Sequence, residues 1–373
     1  MVSLGVAVIG TGFMGKCHAM AWSHVRAVFG GETEIRLEVL CDTNEAVTRQ
    51  KAREGGFARA ETVWTKLLDD PRIDIVSITT PNNLHRDMAI AFLEVGKHVW
   101  CEKPMALTLG DAEAMAAAAA AAKAKTLLGY NYLKNPALVH ARKLVRDGVL
   151  GRIIHFRGQV DEDYQADENV PWSWRSRLET GGLGVLGDLT CHLVSFAHFL
   201  VGDVKEVCAD IETVHKLRPM PGSTELRAVE NEDIAHAMVR FESGASGVLM
   251  SSRAAHGRKN VIRVEVHGTK GMIVFDQERM NELQLYIADE PSERRGLKTI
   301  LTGPVHPPYG AFTPGPGHQL GFNELKVIEC RHFLDCIEKG EEPYMNFEEG
   351  LKIEKIIHGI AASAASRSWL DVR

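Results

Sequence analysis

Val6-Ala7-Val8-Ile9-Gly10-Thr11-Gly12-Phe13-Met14-Gly15 is the stretch that decides the fold. Four consecutive apolar residues read as a buried strand. Glycines then follow at the spacing Gly-x-Gly-x-x-Gly, just before a helical pattern opens. In such a turn the first glycine permits the tight reversal, the second lets backbone approach a pyrophosphate, and the third lets helix and strand pack closely. Phosphates then meet the helix N-terminus, where free amides and the helix dipole favour negative charge. Gly10, Gly12, Phe13, Met14 and Gly15 are therefore the first dinucleotide contacts the sequence offers.

The next apolar run, Leu37 to Cys41, ends at Asp42. A carboxylate there accepts hydrogen bonds from adenosine ribose hydroxyls and repels a 2′-phosphate, and no Arg follows it directly. NAD is therefore expected rather than NADP. The interval from the glycines exceeds the usual ~20 residues, and the insertion around Gly30-Gly31-Glu32 accounts for the excess.

Further strands are expected at Ile75 to Thr79, His98 to Cys101 and Thr126 to Leu128, with an Ala-rich helix from Asp111 to Lys125. Strands alternating with helices predict a parallel sheet wrapped by helices. After Asn131 the texture changes. A helix from Pro136 to Asp147 precedes strands at Arg152 to Val160, Ile234 to Phe241, Gly247 to Ser252, Val261 to Val266 and Met272 to Phe275. Turns at Glu242-Ser243-Gly244 and Gly268-Thr269-Lys270-Gly271 close antiparallel hairpins. The expected architecture is an α/β Rossmann domain over residues 1–130 and an α+β domain with an open, mostly antiparallel β-sheet over residues 131–373. Gly303 to Gly317, rich in Pro and Gly, is expected as a long ordered loop. Leu351, Ile353, Ile356, Ile357 and Ile360 mark a closing amphipathic helix.

The 373 residues carry 43 Lys plus Arg against 49 Asp plus Glu, a net charge of -6, which predicts neither nucleic acid nor an anionic membrane as partner. No apolar run reads as long enough to span a bilayer. The first strand begins almost at Met1, which argues against a signal peptide. The seven cysteines are scattered without a Cys-x-x-Cys pair, so a reduced, cytoplasmic protein without a metal site is expected.

Two more segments carry a resemblance. Thr80-Pro81-Asn82-Asn83-Leu84-His85 follows the third of these strands, and Cys101-Glu102-Lys103-Pro104 follows the fourth. With the glycines, and with Gly187-Asp188-Leu189-Thr190-Cys191-His192, they resemble the glucose–fructose oxidoreductase / inositol dehydrogenase / rhizopine catabolism (Gfo/Idh/MocA) family along the whole chain. The stretch from Arg294-Arg295-Gly296 to Gly317-His318-Gln319-Leu320-Gly321 is similar, more loosely, to its levoglucosan and scyllo-inositol dehydrogenase branch. The resemblance implies an NAD-dependent dehydrogenase of a cyclic polyol or sugar that assembles as a dimer or tetramer through its open sheet. It implies Lys103, Asp188 and His192 as catalytic residues. It also implies that Thr80, Pro81, Asn82, His85, Glu102, Lys103, Asn131, Trp174 and Arg175 complete the cofactor site. Tyr132-Leu133-Lys134 departs from the pattern, since many members carry Arg there.

The chemistry agrees with these residue types. Asp188 and His192, four apart on a predicted helix closed by Gly202, share one face. His192 is suited to exchanging a proton near neutral pH, while Asp188 orients it or binds substrate hydroxyls. Lys103 lies just past a strand end, where open parallel sheets bind ligands. It donates to the substrate oxygen, or acts as base if its pKa is depressed. Lys103 and His192 both remain candidates for first proton acceptor. His85 is expected to shape the nicotinamide pocket, and Glu102 to fix its loop or contact a ribose. Gln159 to Arg177 is polar and aromatic, offering Asp161, Tyr164 and Arg177 to a hydroxyl-rich ring. His318, beside the Gly303 to Gly317 loop, is a further substrate contact.

The expected reaction is oxidation of one secondary hydroxyl of an inositol, a hexose or an anhydrohexose. A glycoside or sugar 3-dehydrogenase would use the same residues on a larger ligand. A non-catalytic sugar–NAD sensor of the same fold is the reading from another class, and retention of Lys103, Asp188 and His192 argues against it. A self-recycling enzyme with trapped NADP is disfavoured by Asp42.

Overall fold

A computed structural model of the chain describes residues 2–373. It divides into two units, one formed by Met1–Lys134 with Gly321–Leu351 and the other by Asn135–Leu320 with Lys352–Arg373. This division differs from a single cut after residue 130 in returning Gly321–Leu351 to the first unit. The physical reason is a returning segment. Leu128 N–H bonds Met345 O at 2.8 Å, and Phe347 N–H bonds Thr126 Oγ1 at 3.1 Å, tying residues 345–347 to the last strand of the first unit.

In the first unit, strands β1 (Ser3–Ile9), β2 (Glu34–Cys41), β3 (Arg59–Glu61), β4 (Ile75–Ile78), β5 (His98–Cys101) and β6 (Thr126–Leu128) form one parallel sheet in the order β3-β2-β1-β4-β5-β6. Strand order reverses between β1 and β4, which opens a crevice at their C-terminal ends. Helices α1 (Phe13–Phe29), α2 (Glu45–Glu54), α3 (His85–Glu94) and α4 (Leu109–Ala121) connect the strands. Val6, Val8, Ile75, Val76, Val99 and Trp100 are fully buried, as strands covered on both faces require.

The second unit begins with α5 (Pro136–Arg146), capped by Asn135, whose Oδ1 accepts from Ala137 N–H at 2.8 Å. It then supplies β7 (Ile153–Asp161), a single turn α6 (Leu178–Gly181), α7 (Cys191–Leu200), β8 (Val204–Glu212), a small ladder of β9 (Leu217–Pro219) and β10 (Leu226–Ala228), and β11 (Ile234–Phe241). Strands β12 (Ser246–Ser252), β13 (Val261–Gly268), β14 (Gly271–Asp276), β15 (Glu282–Ile287) and β16 (Lys298–Leu301) follow. Helix α8 (Phe322–Lys339) belongs to the first unit. Helix α9 (Phe347–Ser366) passes from the first unit to the second, and β17 (Leu370–Asp371) closes the chain. The large sheet runs β16-β15-β14-β13-β7-β12-β11-β8-β17. Every neighbouring pair is antiparallel except β7 with β12.

Helix α7 covers one face of this sheet. Phe196 meets Phe275 edge-on at 6.0 Å, and a Cβ on Gly158 would lie 3.2 Å from Leu193 Cδ2. On alternate positions Arg157, His236, Met238, Arg240 and Met250 are exposed. The expected fold class is thus observed, with both predicted hairpins in place as β11–β12 and β13–β14. One correction concerns membrane-compatible length. Leu178–Leu200, 23 residues across α6, the following turn and α7, is long and apolar enough to span a bilayer, and it is mostly buried within the protein, as core helices are.

Candidate active site

The glycine turn meets the steric demands read from its sequence. Gly10 has φ +106, and a Cβ there would strike Thr79 O at 2.6 Å. A Cβ on Gly15 would sit 2.0 Å from Gly10 O, whereas one on Gly12 would meet nothing within 4 Å. Gly12 therefore guards open space rather than packing. It is also the N-cap of α1, whose first turn has no acidic residue and no side-chain cap. The α1 N-terminus keeps donors for an anion, which fits a pyrophosphate. Phe13 is exposed and stacks on Phe322 with ring centroids 5.6 Å apart.

Asp42 stands at the C-terminal end of β2. Its Oδ2 accepts from Thr11 N–H and Thr11 Oγ1 at 2.7 Å each, and its Oδ1 accepts from Thr43 N–H at 2.7 Å. Burial works against its charge, but the Thr11 and Thr43 donors outweigh it and hold the carboxyl below the usual range. An ionised acceptor beside the glycine turn suits ribose hydroxyls and opposes a 2′-phosphate.

Two of the expected cofactor-site residues, His85 and Glu102, are held by partners within the protein. His85 is fully buried, and its ring nitrogens lie 3.0 Å from Thr80 O and 3.0 Å from Pro104 O. It ties the Thr80-Pro81-Asn82 turn to the turn after Lys103 and so shapes this end of the sheet through backbone. Glu102 faces the interior of its unit: His18 Nε2–H donates to its Oε1 at 2.8 Å, and Lys326 Nζ donates to the same atom at 2.5 Å. A Cβ on Gly129 would lie 2.4 Å from that oxygen, so residue 129 leaves room for the carboxylate. Held by these two partners, Glu102 fixes the loop that presents Lys103. Burial opposes its charge, but Lys326 and His18 hold it well below the carboxylate range. Asn131 is buried with no acceptor for its Nδ2 among the described residues, so it retains a donor.

The second unit carries Asp188 and His192 differently from the plain helix expected. Leu186–Thr190 is a π-helical turn, with Cys191 N–H bonded to Leu186 O, running directly into α7. Such a turn inserts one residue and is frequent at functional sites. It leaves Asp188 half-buried while His192 is buried. Tyr164 Oη donates to Asp188 Oδ2 at 2.7 Å.

The turn is held from behind by a set of residues that sequence reading missed. Glu232 Oε1 accepts from Leu186 N–H at 3.0 Å, and Glu232 O accepts from Val185 N–H at 2.9 Å. Arg253 Nε donates to Asp233 Oδ1 and its second nitrogen to Asn231 Oδ1, both at 2.8 Å. Burial raises the Glu232 carboxyl, partly offset by the Leu186 amide. The run Glu230-Asn231-Glu232-Asp233 was the available signal, since so many polar groups before a strand need buried partners.

Other proposed contacts have local partners. Asp161 accepts from Gln159 Nε2, and Arg177 pairs with Glu179. Arg175 lies 4.3 Å over the Trp174 ring and is exposed. His318 is exposed, its Nδ1 3.2 Å from Gly315 O, while buried Tyr309 donates to His318 O. His318 therefore packs on its own loop.

The chain matches the model of an oxidoreductase family with an NAD-binding Rossmann fold over residues 4–130, and that of the Gfo/Idh/MocA C-terminal domain over residues 138–274. It is 37% identical to a levoglucosan dehydrogenase of Pseudarthrobacter phenanthrenivorans across 100% of this chain and 99% of that protein. It is 27% identical to a scyllo-inositol 2-dehydrogenase (NAD(+)) of Bacillus subtilis across 98% and 95%. A solved levoglucosan dehydrogenase in complex with NADH and L-sorbose superposes with a TM-score of 0.97 at 38% identity, covering 100% of both chains.

Proposed function

The chain belongs to the Gfo/Idh/MocA oxidoreductases, and from that premise we propose that it oxidises a secondary hydroxyl of an anhydrohexose of the levoglucosan type, with NAD as acceptor. The protein is an NAD-dependent oxidoreductase acting on CH–OH groups of a cyclic polyol or sugar. The observation that carries the finer reading is full-length likeness to levoglucosan dehydrogenase, at 38% identity and a TM-score of 0.97.

NAD, when bound, supplies the hydride acceptor. Gly10, Gly12, Gly15 and Asp42 would hold it, by the donors and open space described above. Lys103, Asp188 and His192 are the proposed catalytic set. Asp188 accepts from a substrate hydroxyl, and Lys103 or His192 takes the proton that leaves as the carbonyl forms. The reading includes a cytoplasmic location, supported by seven free cysteines. It also includes a dimer or tetramer formed through the sheet face that exposes Met238 and Met250.

The test is NADH formation, followed by absorbance, with levoglucosan, scyllo- and myo-inositol, glucose and a glucoside compared by kcat/KM. Levoglucosan at least tenfold above the others supports the anhydrohexose. Preference for a bulky non-reducing glycoside would replace it with a glycoside 3-dehydrogenase.

A further inference from the structure

We propose that Tyr164 is a positioning residue for the reaction, its hydroxyl holding the Asp188 carboxylate in a single orientation. The proposal rests on the reading of Asp188 as a site residue. Tyr164 follows β7 and donates to Asp188 Oδ2 at 2.7 Å. Neither end of this hydrogen bond is on a loose element.

On the tyrosine side, Glu162 N–H bonds Ser252 O at 2.9 Å and Gln165 N–H bonds Arg253 O at 3.0 Å, so the backbone flanking Tyr164 is laced to the end of β12. Asp163 pairs with Lys259 at 2.6 Å and accepts from Gly257 N–H at 3.2 Å. Beyond it, Arg218 is buried. Its guanidinium donates to Gln165 O at 2.6 Å, Asp167 O at 2.9 Å and Val170 O at 3.4 Å. His215 Nε2 lies 3.0 Å from Ala166 O. An arginine spent on three main-chain carbonyls serves to hold a loop.

On the aspartate side, Asp188 N–H bonds Gly184 O at 3.0 Å, and the π turn is clamped by Glu232 as described. A Cβ on Gly184 would lie 2.1 Å from Glu232 O, so only glycine lets the turn seat there. A hydrogen bond between two fixed arms removes the rotation that a free carboxylate would otherwise lose when substrate binds.

The electrostatic surroundings suit a permanent donor. Burial and the Asp188 charge push the Tyr164 phenol well above its ordinary value, opposed by Arg253 and reinforced by Glu162. The charged groups that act on the phenol are Asp188, Arg253 and Glu162, with Arg218 interacting as well, and Arg253 itself is bonded to Asp233. The phenol stays protonated across any working pH, so Tyr164 donates and Asp188 accepts.

Tyr164→Phe removes the hydroxyl and keeps the ring. We expect kcat/KM for the sugar to fall about tenfold to a hundredfold, the range for losing an orienting partner. NAD affinity should stay within about twofold, because the glycine turn is untouched. The acidic limb of the pH profile should move to higher pH, since a carboxylate that loses a donor is easier to protonate. In an Asp188→Asn background the same change should have little further effect. Unchanged kcat/KM and pH profile in Tyr164→Phe would overturn the proposal, as would an equal loss in both backgrounds, which would mark a direct substrate contact. Full activity of Asp188→Asn alone would instead remove the site reading, and this inference with it.

Discussion

Gly12 and Gly15 differ in what a methyl group would meet, and the difference separates binding from folding. A Cβ on Gly15 runs into Gly10 O at 2.0 Å, while one on Gly12 enters open space. Gly15→Ala should therefore cost about 1–3 kcal/mol of stability, the usual range for overpacking. Gly12→Ala should leave the urea midpoint nearly unchanged and weaken NAD binding by at least about tenfold, because backbone must approach the pyrophosphate there. Equal stability loss in the two variants would contradict the assignment. Lys103 makes a second contrast. Lys103→Ala should keep NAD affinity near wild type and lower kcat by about 10²–10⁴, the range for a proton-handling group. Stopped-flow binding and steady-state kcat check both halves, and an unchanged kcat would end its catalytic role. At this scale the glycines and Asp42 were legible because their signals are local. For His85 and Glu102 the motif named the residue, and only the packed unit shows which groups its side chain holds.

Helix α8 gives the first unit a buried charge cluster that no local pattern announced. Lys326 and Glu329, one turn apart, are fully buried, with Lys326 bridging Glu329 at 2.8 Å and Glu102 at 2.5 Å. In sequence they read as one polar face of a helix; only the return of residues 321–351 to the Rossmann sheet buries them. Burial lowers His18 to about 4, with the Glu102 hydrogen bond opposing. Burial also raises Glu329 to about 7, against the pull of Lys326. The two act on stability with opposite sign. His18 has a folded value below its ordinary 6.5, so the unfolded chain takes its proton first and stability is lost as pH falls from about 6.5 towards 4. Glu329 has a folded value above its ordinary 4.5, so stability is lost as pH rises from about 4.5 towards 7. Glu329→Gln removes only the second effect. Its stability should rise with pH over that window relative to wild type, by up to about 1.4 kcal/mol per pH unit. Urea midpoints between pH 5 and 7 measure this, and parallel curves would contradict it. The π turn at Asp188 escaped the sequence because the stretch 185–197 is buried on nearly every side, so one inserted residue displaces no polar face.

At the scale of the whole chain, alternation of strand and helix predicted the parallel sheet, and paired turns predicted the hairpins. Strands β8, β15, β16 and β17 went unread because they are short or lie at and near the sheet's edges, where their pairing is set by distant partners. The large sheet leaves Met238 49% and Met250 38% exposed on the face opposite α7, beside Arg157, His236 and Arg240. If this face joins subunits, Met238→Asp should place a charge in the apolar part of the interface and shift the protein to monomer. Sedimentation velocity reads the outcome, and an unchanged assembly would move the interface elsewhere. Turnover of a cyclic polyol or sugar with NAD is decided by running the sugar panel in parallel with NAD and NADP. The account predicts NADH formed in step with a keto or lactone product, with NAD preferred by at least about tenfold because Asp42 repels a 2′-phosphate. Tight NAD binding with no turnover of any sugar would contradict it and leave a sugar–NAD sensor in its place.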